Sequence, residues 1–283
     1  MICISAVVCL EAPYNKPKRT KFQTLYRREA CSAHKFGKVL RYTDFIGFYP
    51  SGIPQIPTWL LKQCASILVP TITNIVNLSL NSGEFHPTLK QSIISLLKKS
   101  TLEKDQLSNY RPISNLVLLF KIIERVVKSR LTHHRSSNNL FNPNQSAYCK
   151  HHSTETALLY IHDYLINAIG SQKISCLCLL DLSAAFDTTD HSILITRLSS
   201  WFGTHGSVLN WFKSYLSSRS FRVKCDNQMS SPHTCSCGVP QGSVLGPLLF
   251  VMYTTPLSTL ISSLSLNHHL YADETQLFFF LSL

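Results

Sequence analysis

One stretch in the middle of the chain, ISCLCLLDLSAAFDTTD at residues 174–190, limits the fold more than any other. It opens with seven apolar or small residues, 174–180, that show no polar alternation. So short and uniform a run predicts a β-strand covered on both faces. The run stops at the carboxylate of Asp181, and a second acid, Asp187, follows Phe186 after a few small residues.

A carboxylate at the end of a buried strand has three common uses. It caps the next helix, it pairs with a buried basic group, or it binds a metal ion. Taken alone, the stretch favours the first use, with Asp181 capping a helix that begins near residue 183. The other two uses stay open until the rest of the chain has been considered.

The charge balance favours a polyanionic partner. Lys and Arg number 27 against 15 Asp and Glu, a net charge of +12, although many basic soluble proteins carry such a charge. Nucleic acid is a better candidate than a membrane surface. No apolar run is long enough to span a membrane, and the apolar start of the chain makes a poor signal peptide. The ten cysteines contain no C-x-x-C pair, which favours reduced cysteines in a nuclear or cytoplasmic protein.

Apolar periodicity predicts helices and strands in mixed order, hence an α+β fold. Helices are predicted at residues 72–80, 116–131, 157–169, 192–201, 208–216 and 244–255, with Pro57 in the first turn of a further one. The turn residues 81–83, which include Gly83, end the first helix, and Thr156 or Ser153 can cap the third. Strands are predicted at residues 92–97, 221–225 and 233–237, and as a pair within 270–280 that meets at Asp273 and Glu274. In the second helix the apolar face carries Phe120, and Glu124 is placed largely off that face.

Asp181 and the Asp273–Glu274 pair both lie where a strand ends. If these strands are neighbours, three carboxylates meet at one rim of a sheet, where they repel one another. Divalent cations remove that cost, and two Mg²⁺ ions together clamp the oxygens of a phosphoryl transfer. The alternative is that each acid caps its own turn, and without further motifs this alternative is favoured.

Further motifs change that balance. DLSAAFD at 181–187, GVPQGS at 238–243 and YADE at 271–274 occur in this order. Together they resemble the reverse transcriptases of non-LTR (LINE-type) retrotransposons, including the jockey-like elements. Other segments are similar to the same family: IPT at 56–58, NYRPIS at 109–114, QSAY at 145–148, HSTETAL at 152–158 and SYLS at 214–217. The resemblance runs from about residue 53 to residue 281.

The resemblance implies the following residue roles. Asp181, Asp273 and Glu274 match the metal-binding, catalytic acids, and the carbonyl of Leu182 also faces a metal. Phe186 matches an aromatic residue under the sugar that excludes a 2′-hydroxyl. The remaining matches are nucleotide-binding residues: Arg111 on the triphosphate, helped by Lys98 or Lys99, and Gln241 with Gly242 beneath the base.

The implied reaction is RNA-directed DNA synthesis by two-metal nucleotidyl transfer. The implied cofactor is Mg²⁺, as two ions, with Mn²⁺ as a substitute. The implied partners are an RNA template, a DNA primer and deoxynucleoside triphosphates. The implied fold is the fingers and palm of a right-hand polymerase, with the palm incomplete and the thumb missing. Residues 1–52 are expected to be a poorly ordered basic arm, 53–170 the fingers and 171–283 the partial palm.

Three departures from the family pattern bear on activity. Glu274 stands where the family has aspartate, Cys149 where it usually has arginine, and Ser95 where a proline is common. Nothing in the chain resembles the family's endonuclease. We therefore expect a truncated retrotransposon fragment with little or no polymerase activity.

Two other function classes stay open. A non-enzymatic remnant would bind RNA or DNA through basic residues such as Arg111, more weakly as salt rises. A metal-dependent nuclease would use the same acids, but it leaves Phe186 and the Gln241 loop without a role.

Overall fold

The computed structural model describes residues 63–98, 109–182, 184–225 and 228–282. Within these ranges the chain forms α1 (Ala65–Ser82), β1 (Gln91–Lys98), β2 (Tyr110–Asn115), α2 (Leu118–Ser137), α3 (Thr154–Gly170), β3 (Lys173–Asp181), α4 (His191–Ser200), α5 (Gly206–Leu216), β4 (Arg219–Cys225), β5 (Gln228–Met229), β6 (His233–Cys235), α6 (Gly246–Ser263), β7 (Asn267–Tyr271) and β8 (Glu274–Ser282). This mixture confirms the predicted α+β class. The basic arm, the helical turn at Pro57 and Lys99 lie outside the described residues.

The apolar faces of the helices meet in one core that includes residues from α1, α2, α4, α5 and α6. An aromatic cluster lies within it. The ring of Phe85 packs edge-on against Phe120 at 5.1 Å and against Trp211 at 5.6 Å. Trp211 in turn stacks on Tyr215 at 5.2 Å. Such edge-to-face and stacked pairs add stability beyond the apolar area that they bury.

The larger sheet has the order β2-β1-β4-β5, and β6 also pairs with β4. Strand β1 runs antiparallel to β2 and parallel to β4. Strands from both sides of residue 170 therefore share one sheet, and the core likewise includes residues from both sides. The division into fingers and palm at this residue stays a prediction.

The smaller sheet has the order β3-β8-β7, with both pairings antiparallel. The prediction that β3 is covered on both faces is wrong, because one face is open: Leu179 is 68% exposed and Leu177, on the same face, is 37% exposed. Helix α3 packs against β3, and its Tyr164 also stacks on Phe278 of the neighbouring β8 at 5.7 Å. A uniformly apolar run shows that a strand avoids charge, but it does not show what covers the strand.

The helix boundaries follow local capping chemistry. The hydroxyl of Ser153 accepts the backbone N–H of Thr156 at 3.3 Å, so α3 begins three residues earlier than the apolar pattern suggested. Helix α1 ends at Ser82, and Gly83 follows it as the predicted stop, with a φ of 72°. No helix in the described ranges is both long and apolar enough to cross a membrane.

Gly83→Ala should lower the free energy of unfolding by about 2 kcal/mol, because a Cβ disfavours a positive φ. The new Cβ would also lie 2.8 Å from the backbone oxygen of Ser207 in α5. Urea denaturation measures this loss. The matched control is Gly170→Ala, where an added Cβ meets nothing within 4 Å. That variant should be neutral or more stable by up to about 1 kcal/mol. Equal effects of the two substitutions would contradict the prediction.

Candidate functional site

The three predicted acids lie at one rim of the smaller sheet. Asp181 is the last residue of β3, Glu274 is the first residue of β8, and the two are directly paired across the strands. Asp273 lies in the preceding turn, where its carbonyl accepts the backbone N–H of Leu182 at 3.0 Å. The prediction that the two strands are neighbours is therefore correct, and the rim gathers acids that lie about ninety residues apart in sequence.

The chemistry of these donors suits a hard divalent cation. Among the described residues no three His, Cys, Asp or Glu side chains form a group that could hold a metal ion. Mg²⁺, however, is usually bound by one or two carboxylates, while waters and substrate phosphates complete its octahedron. The acids at the rim are of the ligand type that Mg²⁺ prefers, and waters and a phosphate would have to fill the other positions around such an ion.

Asp181 does not cap a helix in the described part of the chain, so the interpretation that the isolated stretch favoured is wrong. Residues 184–188 form turns in which the N–H groups of Asp187 and Thr188 both donate to the carbonyl of Ala184. Ala184 itself has a φ of 54°, which interrupts helical geometry. Helix α4 begins only at His191, and its cap is Asp190, whose Oδ1 accepts the N–H of Ile193 at 2.9 Å.

The turn that follows β3 is joined to the GVPQGS loop. The side chain of Phe186 is half-buried, with its ring 5.2 Å from that of Phe250, and its carbonyl accepts the N–H of Val239 at 2.8 Å. A Cβ added to Gly238 would lie 2.8 Å from the backbone oxygen of Asp187. Only glycine permits this close approach, which fixes the Phe186 ring relative to the loop.

The same loop also contacts the end of β2. The carbonyl of Gln241 accepts the N–H of Ser114 at 2.9 Å, and its side-chain Nε2 donates to Asp187 Oδ2 at 3.4 Å. Gly242 has a φ of 95°, and a Cβ there would lie 3.2 Å from the carbonyl oxygen of Ser114. The loop thus lies between the turn that carries Asp187 and the strand that carries Arg111.

Two of the predicted basic residues lie near each other in the larger sheet. The exposed side chain of Arg111 is on β2, opposite Leu97 of β1. The next pair in the register joins Lys98 to Tyr110. The backbone of Arg111 therefore lies beside the end of β1.

A buried acid lies behind the loop at residues 238–243, and the sequence patterns did not predict its burial. Glu124 of α2 is fully buried, so its placement off the core face is wrong. Its carboxylate accepts the Tyr215 hydroxyl at 2.6 Å and the N–H groups of Val244 at 2.7 Å and Leu245 at 3.4 Å. The helical spacing could have predicted this burial, because Glu124 follows Phe120 by four residues and so lies on the same face of the helix.

The comparisons with known proteins decide the family. The model of the family "Reverse transcriptase (RNA-dependent DNA polymerase)" matches residues 96–280, a range that includes every predicted site residue. This chain belongs to the reverse transcriptase family. The non-LTR resemblance is also confirmed by relatives from transposable elements.

Three relatives from Drosophila melanogaster show the relationship. The chain is 30% identical over 207 residues to a probable RNA-directed DNA polymerase from transposon BS. The aligned region covers 73% of this chain and 22% of that protein. It is 30% identical over 199 residues to the corresponding protein from transposon X-element (69% and 21%), and 29% identical over 185 residues to that from mobile element jockey (65% and 20%). The chain thus matches about a fifth of the length of these reverse transcriptase relatives.

The carboxyl of Glu124 gives this reverse transcriptase domain a pH-dependent stability. Burial raises the pKa of Glu124 from its usual 4.5 to about 7, although the hydrogen bonds from Tyr215 and the backbone and the charge of Arg219 oppose the shift. Between these two values the folded chain holds a proton that the unfolded chain has lost. The free energy of unfolding therefore falls as pH rises through this window, by roughly 3 kcal/mol from this group.

Glu124→Gln should remove this component, which urea denaturation between pH 5 and pH 8 would measure. Glu155→Gln serves as the control. Glu155 is exposed, and the hydrogen bond from Ser153 lowers its pKa, so its removal should leave the decline above pH 5 in place. An unchanged pH profile in Glu124→Gln would show that this carboxyl is already ionised throughout.

Proposed function

We propose that this domain is built for RNA-templated DNA synthesis, in which a primer 3′-hydroxyl attacks the α-phosphate of a deoxynucleoside triphosphate and pyrophosphate leaves, and that Glu274 keeps its rate low, as the sequence led us to expect. One observation carries the proposal: the direct pairing of Asp181 with Glu274, beside Asp273, in a chain of the reverse transcriptase family. The RNA template, the DNA primer and the triphosphate are the proposed partners. A nuclear or cytoplasmic location and the right-hand fingers and palm belong to the same proposal.

Asp181 and Asp273 are the proposed metal ligands, with Glu274 as a third acid and the carbonyl of Leu182 as a further oxygen donor. Two Mg²⁺ ions, or Mn²⁺ in their place, would neutralise the charge on the reacting phosphate. The protein holds the two aspartates in register by the strand pairing and by the hydrogen bond from Leu182 to Asp273. This prepared geometry supports the reaction, because little reorganisation is needed when the substrate binds.

Arg111 is the proposed triphosphate ligand, with Lys98 or Lys99 nearby. Its planar guanidinium presents several donors in a fork that matches phosphate oxygens. The position of Arg111 supports this role: the side chain is exposed, and β2 continues to Ser114, which bonds to the Gln241 loop. Gln241 and Gly242 are proposed to lie beneath the incoming base, where glycine lets the backbone come close.

Phe186 is the proposed selector against ribonucleotides. A ring that cannot move leaves no room for a 2′-hydroxyl, so selection works by exclusion. Packing on Phe250 and the hydrogen bond from Val239 to the carbonyl of Phe186 hold this ring in place, which supports the role.

Primer extension on an RNA template with Mg²⁺ and deoxynucleotides tests the proposal. Asp181→Ala should abolish extension. Asp163→Ala, which removes an exposed aspartate of α3, should retain the wild-type rate and serves as the matched control. Extension that persists unchanged in Asp181→Ala would overturn the proposed chemistry.

Glu274→Asp should raise the extension rate. Glu274 lies opposite Asp181, and its extra methylene moves the carboxylate by roughly an ångström, a displacement that can cost about 100-fold in rate. The comparison of wild type with Glu274→Asp under single-turnover conditions measures this cost. A slower Glu274→Asp variant would show that this site is adapted to glutamate.

A non-enzymatic nucleic-acid-binding role is the second candidate, favoured by the net charge of +12 and by the exposed side chain of Arg111. It predicts RNA binding that weakens with salt and is equal in wild type and Asp181→Ala. Such binding in a folded chain without any extension would support this candidate over the polymerase.

A further inference from the structure

A short segment before α3, residues 144–147, lies along the edge of β7 that does not pair with β8. The N–H of Leu270 donates to the carbonyl of Asn144 at 2.7 Å, and the N–H of Ser146 donates to the carbonyl of Leu270 at 3.1 Å. Gln145 and Leu270 thereby form a parallel bridge. The strand that leads into the Asp273 turn is therefore bonded on both edges, to β8 on one side and to this segment on the other.

The side chain of Gln145 extends this contact to the turn itself. It is only 3% exposed, and its Oε1 accepts two backbone N–H groups, from Ala147 at 2.9 Å and from Ala272 at 3.2 Å. Both partners are donors, so the atom between them must be the oxygen of the amide. One acceptor thus joins the 144–147 segment to the residue immediately before Asp273.

The turn needs such a support. Ala272 has a φ of 56°, in the left-handed region that residues with a Cβ rarely adopt. A residue in that region persists where its surroundings determine its conformation. The hydrogen bond from the Ala272 N–H to Gln145 orients the peptide group between Tyr271 and Ala272, immediately before the residue with the positive φ. Direct pairing of Tyr271 with Glu274 limits the turn from both ends.

The amide nitrogen of Gln145 indicates which of its atoms explains a glutamine at this position. Gln145 Nε2 is buried and finds no hydrogen-bond partner among the described residues. An unpaired buried donor costs stability, which a methionine or leucine of similar size would avoid. Packing alone would therefore favour an apolar residue here, and the contribution peculiar to glutamine is its acceptor oxygen.

We propose that Gln145 is a positioning residue that fixes the Ala272–Asp273 turn, and through it the Asp273 carboxylate, for the reaction. The inference rests on the proposed polymerase function for its catalytic consequence, but the contact itself is independent of activity. Gln145 touches neither substrate nor metal in this role and acts only through the backbone.

Hydrogen exchange in the ¹⁵N-alanine-labelled full chain tests the contact directly. The amides of Ala147 and Ala272 should both exchange slowly in the wild type. Gln145→Met, which keeps the volume and removes the acceptor, should speed both by about tenfold or more. Ala157 and Ala168, whose amides lie in α3, are internal references that should not change.

Two further variants separate this contact from general loosening. Ser258→Ala removes a hydroxyl that bonds His268 of β7 at 2.6 Å, away from the turn, and should leave the Ala272 amide protected. Gln145→Glu keeps an oxygen at the same reach and should retain protection even if Gln145→Met fails to fold. Fast exchange of Ala272 in the wild type, or unchanged exchange in a folded Gln145→Met, would overturn the proposal.

Primer extension supplies the catalytic readout. Gln145→Met should lower kcat by up to about 100-fold and leave KM for the deoxynucleotide unchanged, because the nucleotide-binding residues are untouched. Ser258→Ala should retain the wild-type kcat. Equal kcat in wild type and Gln145→Met would overturn the positioning role while the polymerase function stands. Faster exchange of the Ala272 amide in Gln145→Met, together with no primer extension by any variant, would support the contact and overturn the polymerase function.

Discussion

The buried carboxylate of Glu124 is the interaction on which the region behind the site depends. It lies on α2 and accepts hydrogen bonds from the hydroxyl of Tyr215 on α5 and from the N–H groups of Val244 and Leu245, the two residues before α6. Buried backbone N–H groups need such an acceptor. The same contact fixes the end of the loop that carries Gln241, so helix packing behind the site determines where that loop lies.

In front of this support, backbone contacts assemble the site from segments far apart in the sequence. Strand pairing brings Asp181 opposite Glu274, and the loop at residues 238–243 bonds both to the turn after β3 and to the end of β2. Gly238 and Gly242 allow the two closest approaches. Because the segments that carry the reverse transcriptase motifs are held mainly through main-chain contacts, a conservative change within a motif, such as glutamate at 274, can leave the fold intact and still move a carboxylate.

Local patterns predicted what local chemistry controls. The apolar spacing of α2 identified Phe120, and Gly83 marked the end of α1, since both signals act within a turn or two of helix. The motif resemblance placed Asp181, Asp273 and Glu274 together. The same patterns failed for Leu179, because coverage of a strand depends on neighbours elsewhere in the chain. They failed for Glu124 because charged residues usually lie at the surface. Here the buried N–H groups of Val244 and Leu245 need an acceptor, and Glu124 supplies it.

The sequence by itself determined the family, the α+β class, most of the helices and strands, and which acids meet at the rim of the smaller sheet. Only the tertiary structure decided that β3 is an edge strand, that Glu124 lies beneath the start of α6, and that Gln145 reaches the turn before Asp273. The physical reason is the sequence separation over which each interaction acts. Propensity, capping and periodicity act between residues a few positions apart, whereas the hydrogen bonds from Val244 to Glu124 and from Ala272 to Gln145 join residues more than a hundred positions apart.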